Sequence, residues 1–114
     1  MNQQLDKMHE LLVSQHEALY EKLDTAADDE TMQAILTEMK EIRHRIDVVQ
    51  NLLFRETTQA LSTAVKKVSQ ADSDLTDALS CAESAAAIVK GVGSFLKLVD
   101  QAIDLAKTLA PMAL

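Results

Sequence analysis

The chain has 114 residues, two glycines, one proline, one cysteine, three aromatics (Tyr20, Phe54 and Phe95) and a formal net charge of −7. Two glycines are too few for a β-sandwich or barrel, which turns about every 10 residues, or for a glycine-rich phosphate loop. A single cysteine excludes an internal disulfide framework and a multi-cysteine metal site.

The first residues, Met1-Asn2-Gln3-Gln4, carry no basic stretch followed by an apolar one, so no secretory leader is expected. Leu5, Met8, Leu12, Leu19 and Leu23 then share one helical face, with His16 between the last three. Gln15 falls among the polar positions of the same stretch. The spacing predicts an amphipathic helix over 3–25. His16 on the apolar stripe reads as a packing residue, with a pH-sensitive contact as the sharper alternative, because imidazole titrates near pH 6.5.

Periodicity lapses across 24–31, where Asp28, Asp29 and Glu30 bunch together. Acidic residues favour the first turn of a helix, and Thr25 or Asp28 can supply the cap. A short turn and a new helix from residue 28 are expected. Met32, Ile35, Met39, Ile42, Ile46, Val49 and Leu53 then keep strict 3-4 spacing, the seam of a coiled-coil-like helix. The phase slips by one residue near Leu53 and Phe54. A second series resumes at Leu61, Val65, Val68, Asp72, Leu75, Leu79, Ala82, Ala86 and Val89, with Asp72 as its one polar member. No Gly or Pro lies between residues 28 and 90. A long helix is therefore expected over 28–70, either continuing to 90 or broken at 71–74, where short polar side chains offer caps to a helix over 74–90.

Gly91 and Gly93 form the only glycine cluster, so a turn is expected there, with Ser94 capping a last helix over 94–110 that Pro111 ends. The first helix should pair antiparallel with the start of the second, and the last with 72–90. Residues 54–70 fall outside both hairpins. Phe54, Leu61, Val65 and Val68 thereby become an uncovered apolar seam, the expected site of self-association or of docking to a helical partner.

Candidate chemistry is sparse. Asp6-x-x-His9 and Glu41-x-x-His44 carry carboxylate and imidazole three residues apart, as carboxylate-bridged metal bundles do. Yet Glu41 and His44 lie off the apolar seam, so His9, His44 and Glu41 are weak metal candidates. Cys81, with no neighbouring cation in sequence, reads as an inert buried thiol. Met8, Met32 and Met39 gather near the first hairpin and read as core filling, with an adaptable partner groove as the sharper alternative. No catalytic residue and no cofactor are expected.

The basic groupings are Lys40, Arg43 and Arg45, interleaved with Glu38, Glu41 and Asp47, and the pair Lys66–Lys67. On so acidic a chain they disfavour nucleic acid. Residues 84–110 are less acidic and broadly apolar, which makes a membrane-associated or membrane-active helix the alternative function, and a small metal-binding bundle the second alternative. No apolar run approaches the roughly 20 residues of a membrane span. With one unpaired cysteine, the cytoplasm is the expected location.

The sequence thus predicts one elongated all-α domain over 1–114, an antiparallel bundle of three to four helices with a long central helix. Its expected role is a non-catalytic interaction module, most simply a homo-oligomer.

Overall fold

The computed structural model describes residues 2–112 and is all-α. Four helices fill it: α1 (Gln3–Leu23), α2 (Asp29–Gln50), α3 (Gln59–Cys81) and α4 (Ala85–Lys107). The body is elongated, 50 × 21 × 17 Å.

Each helix begins where a short polar side chain satisfies amides that have no partner inside the helix. Asn2 accepts from the amides of Gln4 and Leu5, and Asp28 from that of Thr31. Thr58 accepts from Leu61 and Ser84 from Ala87. The hydrogen bond to Thr31 also holds the Asp28 carboxyl below its ordinary pKa.

These caps place the breaks differently from the sequence expectation. The long helix ends at residue 50, and α3 starts at 59, so the connection lies where the hydrophobic phase slips. Asp72 sits inside α3, and no break occurs at 71–74. The second hairpin turns at residues 82–84, and α4 runs straight through Gly91, Gly93 and Ser94. Glycine proved a poor guide because no described residue has a positive φ. Without a left-handed C-terminal cap, a helix end gains nothing from glycine. Gly91 instead faces α3, where a Cβ would lie 3.3 Å from Leu75 Cδ1.

The hairpins α1–α2 and α3–α4 pack side by side, with α1 against α3 and α2 against α4. Both contacts between hairpins are therefore parallel, and α2 and α3 occupy a diagonal. The connection between them, residues 51–58, crosses one end of the bundle. At interaxial distances of ~8–10 Å the diagonal is about 11–14 Å, well within the reach of eight residues at ~3.3 Å each.

That crossing is tied down by both ends of the chain. The Asn2 amide donates to Leu53 O at 2.7 Å, and its side-chain Nδ2 donates to Arg55 O and Glu56 O. From the other terminus, Met112 N donates to Phe54 O at 2.7 Å, and Glu56 N to Ala110 O at 2.8 Å. Arg55 and Pro111 form an isolated antiparallel bridge.

Leu5, Met8, Leu12 and Leu19 meet Ile35, Ile42, Val49, Leu61, Val65, Val68, Phe95 and Val99 in one core. Leu61, Val65 and Val68 are thus covered by their own chain, at 0%, 2% and 0% exposure. The uncovered seam expected at 54–70 does not exist, because parallel packing of α1 on α3 supplies the cover that two end-to-end hairpins would lack. Of that set only Phe54, on the crossing, is exposed. Phe95, Leu96, Val99 and Ile103 are likewise buried, so most of the apolar sector of 84–110 faces the bundle, with Val89 and Leu105 left exposed. No helix among the described residues is long and apolar enough to cross a membrane.

Two polar contacts join the hairpins. Gln15, only 1% exposed, donates from Nε2 to Asp72 O, Asp72 Oδ1 and Thr76 Oγ1 across α1 and α3. Arg45 grips Asp100 across α2 and α4 with two bonds, Nε–Oδ1 at 2.8 Å and Nη2–Oδ2 at 3.0 Å.

Candidate functional site

Sealing the core leaves a few large apolar side chains outside. Tyr20, Met32 and Leu36 are 63%, 39% and 45% exposed. Met32 and Leu36 are one turn apart on α2, at the flank of the face that carries Ile35, Ile42 and Val49 into the core. Tyr20 lies one turn beyond His16 on α1. Because α1 and α2 are antiparallel, it comes level with the Met32–Leu36 end of the strip.

Beside this strip runs an open groove of about 370 Å³, lined by His16 from α1 and by Gln33, Leu36, Thr37, Met39, Lys40 and Arg43 from α2. Met39 forms its buried floor. Lys40 and Arg43 stand exposed at its far end. Both ion pairs among the described residues belong to Arg45, so neither cation is neutralised within the chain. Arg43 Nη2 approaches His16 Nε2 at 3.5 Å, a long contact. Burial first, and then the Arg43 guanidinium, push the His16 pKa below its ordinary value, against a smaller opposing effect of Glu17. The lowered pKa favours the neutral imidazole at pH 7, in which Nε2 can accept from Arg43.

A second, polar groove of about 330 Å³ runs between α2 and α4 and is lined by His44, Arg45, Asp100, Asp104 and Lys107 among others. Arg45 also donates to Glu41 Oε2 at 2.9 Å. The Asp100 hydrogen bonds, opposed by burial and reinforced by Glu41, raise its pKa further. Glu38, 8% exposed, sits on the same helix with no hydrogen bond to its carboxyl among the described residues. Burial, and then repulsion by Glu41, raise its pKa, while Arg45 offsets part of the effect.

The weak metal candidates are dispersed. His44 lines the α2–α4 groove, Glu41 is engaged by Arg45, and His9 is partly buried on α1. Among the described residues no three His, Cys, Asp or Glu side chains gather in a metal-holding group. Cys81 is exposed rather than buried, because α3 ends on it. It borders a cleft of about 460 Å³ between the two hairpin turns, together with Lys22 and Thr31.

The chain matches no family model, no curated protein and no solved structure. Its function must be argued from its own surface.

Besides Cys81, the sequence misplaces Gln15, His16 and Met32. Gln15 continues the 5-8-12-15-19 spacing, which was the available signal for a core position, yet its polarity placed it outside. His16 is only half-buried and lines the groove. Met32 belongs to the exposed strip, while Met8 and Met39 do fill the core.

Proposed function

We propose that this chain is a non-catalytic interaction module that holds a helical protein partner on the outer face of α1 and α2. The observation that carries this reading is the clustering of Tyr20, Met32 and Leu36 beside two unneutralised cations; the other exposed large apolar side chains among the described residues, Phe54, Val89 and Leu105, stand apart on the crossing and at the two ends of α4. An antiparallel helix pair offers a shallow apolar furrow of the kind that receives the apolar face of another helix. Tyrosine and arginine are the residue types that dominate such contacts, and methionine adapts to the shape of its partner.

No chemical step belongs to this reading. Cys81, His16 and Glu38, the side chains whose burial or exposure stands out, lie in three different parts of the molecule. The exposed unpaired thiol favours a reducing compartment, and the cytoplasm fits it.

A photoreactive amino acid placed at Leu36, and separately at Lys67 on the outer face of α3, tests the reading in cells that express the protein. Adducts are expected at position 36 and should be lost with Tyr20→Lys. Equal yields at the two positions would overturn it.

A further inference from the structure

We propose that the occupant of this face is a second copy of the same chain, held about a two-fold axis at Leu36 with the two α2 helices antiparallel. The proposal rests on the reading above and names its partner.

The reason is a charge pattern that complements itself. A helix drifts only about 20° per seven residues, so Asp29, Leu36 and Arg43 follow one another along a single outer stripe of α2. All three are exposed. A two-fold axis through Leu36 sets each position n residues beyond it opposite the position n residues before it in the partner. Arg43 then meets the partner's Asp29, and Asp29 the partner's Arg43, each about 10.5 Å from the axis at 1.5 Å per residue. Lys40 comes level with the partner's Met32 and lays its aliphatic stem along it. Leu36 meets the partner's Leu36 at the centre, and Tyr20 flanks the contact from α1.

Among the described residues neither charged residue has a competing ion pair, since both ion pairs use Arg45. Of the basic groups around Arg43, Lys40 lies one turn away on the same helix, and His16, whose pKa is lowered by burial and by Arg43, adds little repulsion. A parallel pairing would set Asp29 on Asp29 and Arg43 on Arg43, so the same charges select the antiparallel arrangement. The outer face of α3 also carries cations toward one end, Lys66 and Lys67, and carboxylates toward the other, Asp74 and Asp77, but it exposes no large apolar side chain. Charge and apolar centre coincide on α2. The contact is isologous, so it closes at two copies.

Sedimentation of the full chain from about 5 to 500 μM, the range in which small interfaces of this kind associate, tests the proposal. The expected mass rises from 12.5 kDa toward twice that value. Leu36→Glu, at an already exposed position, should remain helical by circular dichroism and weaken association by about tenfold or more, as like charges at an interface do. Asp29→Lys alone and Arg43→Glu alone should each weaken the dimer, and the double variant Asp29→Lys/Arg43→Glu should restore it. A mass of 12.5 kDa at every concentration overturns the proposal, and so does a dimer that Leu36→Glu leaves intact or that the double variant fails to restore. If the chain stays monomeric while a photoreactive group at position 36 still captures a different helical protein, the second-copy proposal falls and the interaction reading survives. If position 36 captures nothing, both fall.

Discussion

Gly93→Ala probes the most consequential difference between the expected and the observed helices. The sequence favours a turn at 90–94, whereas the structure carries α4 through both glycines. Gly93 is exposed, its φ is not positive, and a Cβ built there has no neighbour within 4 Å. Alanine should then gain the full helix-interior difference of about 0.8–1 kcal/mol with no steric term against it. Gly91→Ala gains the same propensity but sets its Cβ 3.3 Å from Leu75 Cδ1 and 3.9 Å from Ala78 Cβ. The Leu75 methyl must yield by a few tenths of an ångström, so the net effect should be smaller than at 93 and near zero. Urea unfolding followed at 222 nm reads both as midpoint shifts at constant slope. In a heat scan the Gly93→Ala gain corresponds to about 3–6 °C for a chain of this size. A loss of stability at 93 would refute the reasoning, because only a turn or a left-handed backbone there makes alanine unfavourable.

Three other perturbations test the rest of the architecture. Glu38→Gln should stabilise the protein at pH 7: the folded-state pKa of Glu38 lies above its reference value of 4.5, so its contribution is fully present below pH 4.5 and is lost as pH rises through the folded value. Melting temperatures of variant and parent should converge near pH 4, and a variant less stable than the parent at pH 7 would count against burial as the cause. Asn2→Ala removes both a helix cap and three side-chain bonds to the crossing, and should cost about 2–3 kcal/mol in urea unfolding. Asn2→Ser keeps the cap and should cost about half as much; equal losses would mean that the contacts to Arg55 and Glu56 contribute little. Gln15 shares its two Nε2 hydrogens among three acceptors yet leaves its Oε1 buried without a partner. Gln15→Leu should therefore change stability by less than about 1 kcal/mol, whereas Gln15→Ala, which leaves a void, should cost about 2 kcal/mol. A large loss with leucine would show that the contact with Asp72 outweighs the orphaned oxygen.

The helical class, the α1–α2 hairpin and the buried face of α2 were legible because 3-4 spacing reports directly on which side of a helix avoids water. Ile42 and Val49 are fully buried as that spacing requires, while Ile46 lies at the edge of the core. Helix ends were less legible. Asp28 announced itself through the acidic cluster that follows it, but Thr58 and Ser84 are single residues in stretches with no other signal. The outer groove was legible only as the alternative reading of the methionines near the first hairpin, and its other residues carried no signal of it. Its residues are set apart by what fails to cover them, and covering is decided by elements distant in the chain.

Leu61, Val65 and Val68 illustrate how far spacing reaches. It identifies the face of α3 that must be buried, but the helix that buries it could be the next in sequence, the previous hairpin or another molecule. The choice rests on contacts between α1 and α3 and between α2 and α4, each joining residues more than 50 positions apart. Asp72 looks like a defect in the seam of α3, and Gln15 like a polar residue out of place on α1. Opposed across a parallel helix pair, each answers the other. The bidentate bond of Arg45 to Asp100 does the same for the other parallel pair, at almost the same sequence offset. Apolar packing alone tolerates sliding by a turn, since leucine and valine recur at every turn. Two directional polar contacts and the tie at the chain ends do not. The register between hairpins is therefore written in the residues that interrupt the hydrophobic pattern. Spacing turns Leu61, Val65 and Val68 inward; the two polar contacts set which turns of α1 and α2 lie against α3 and α4.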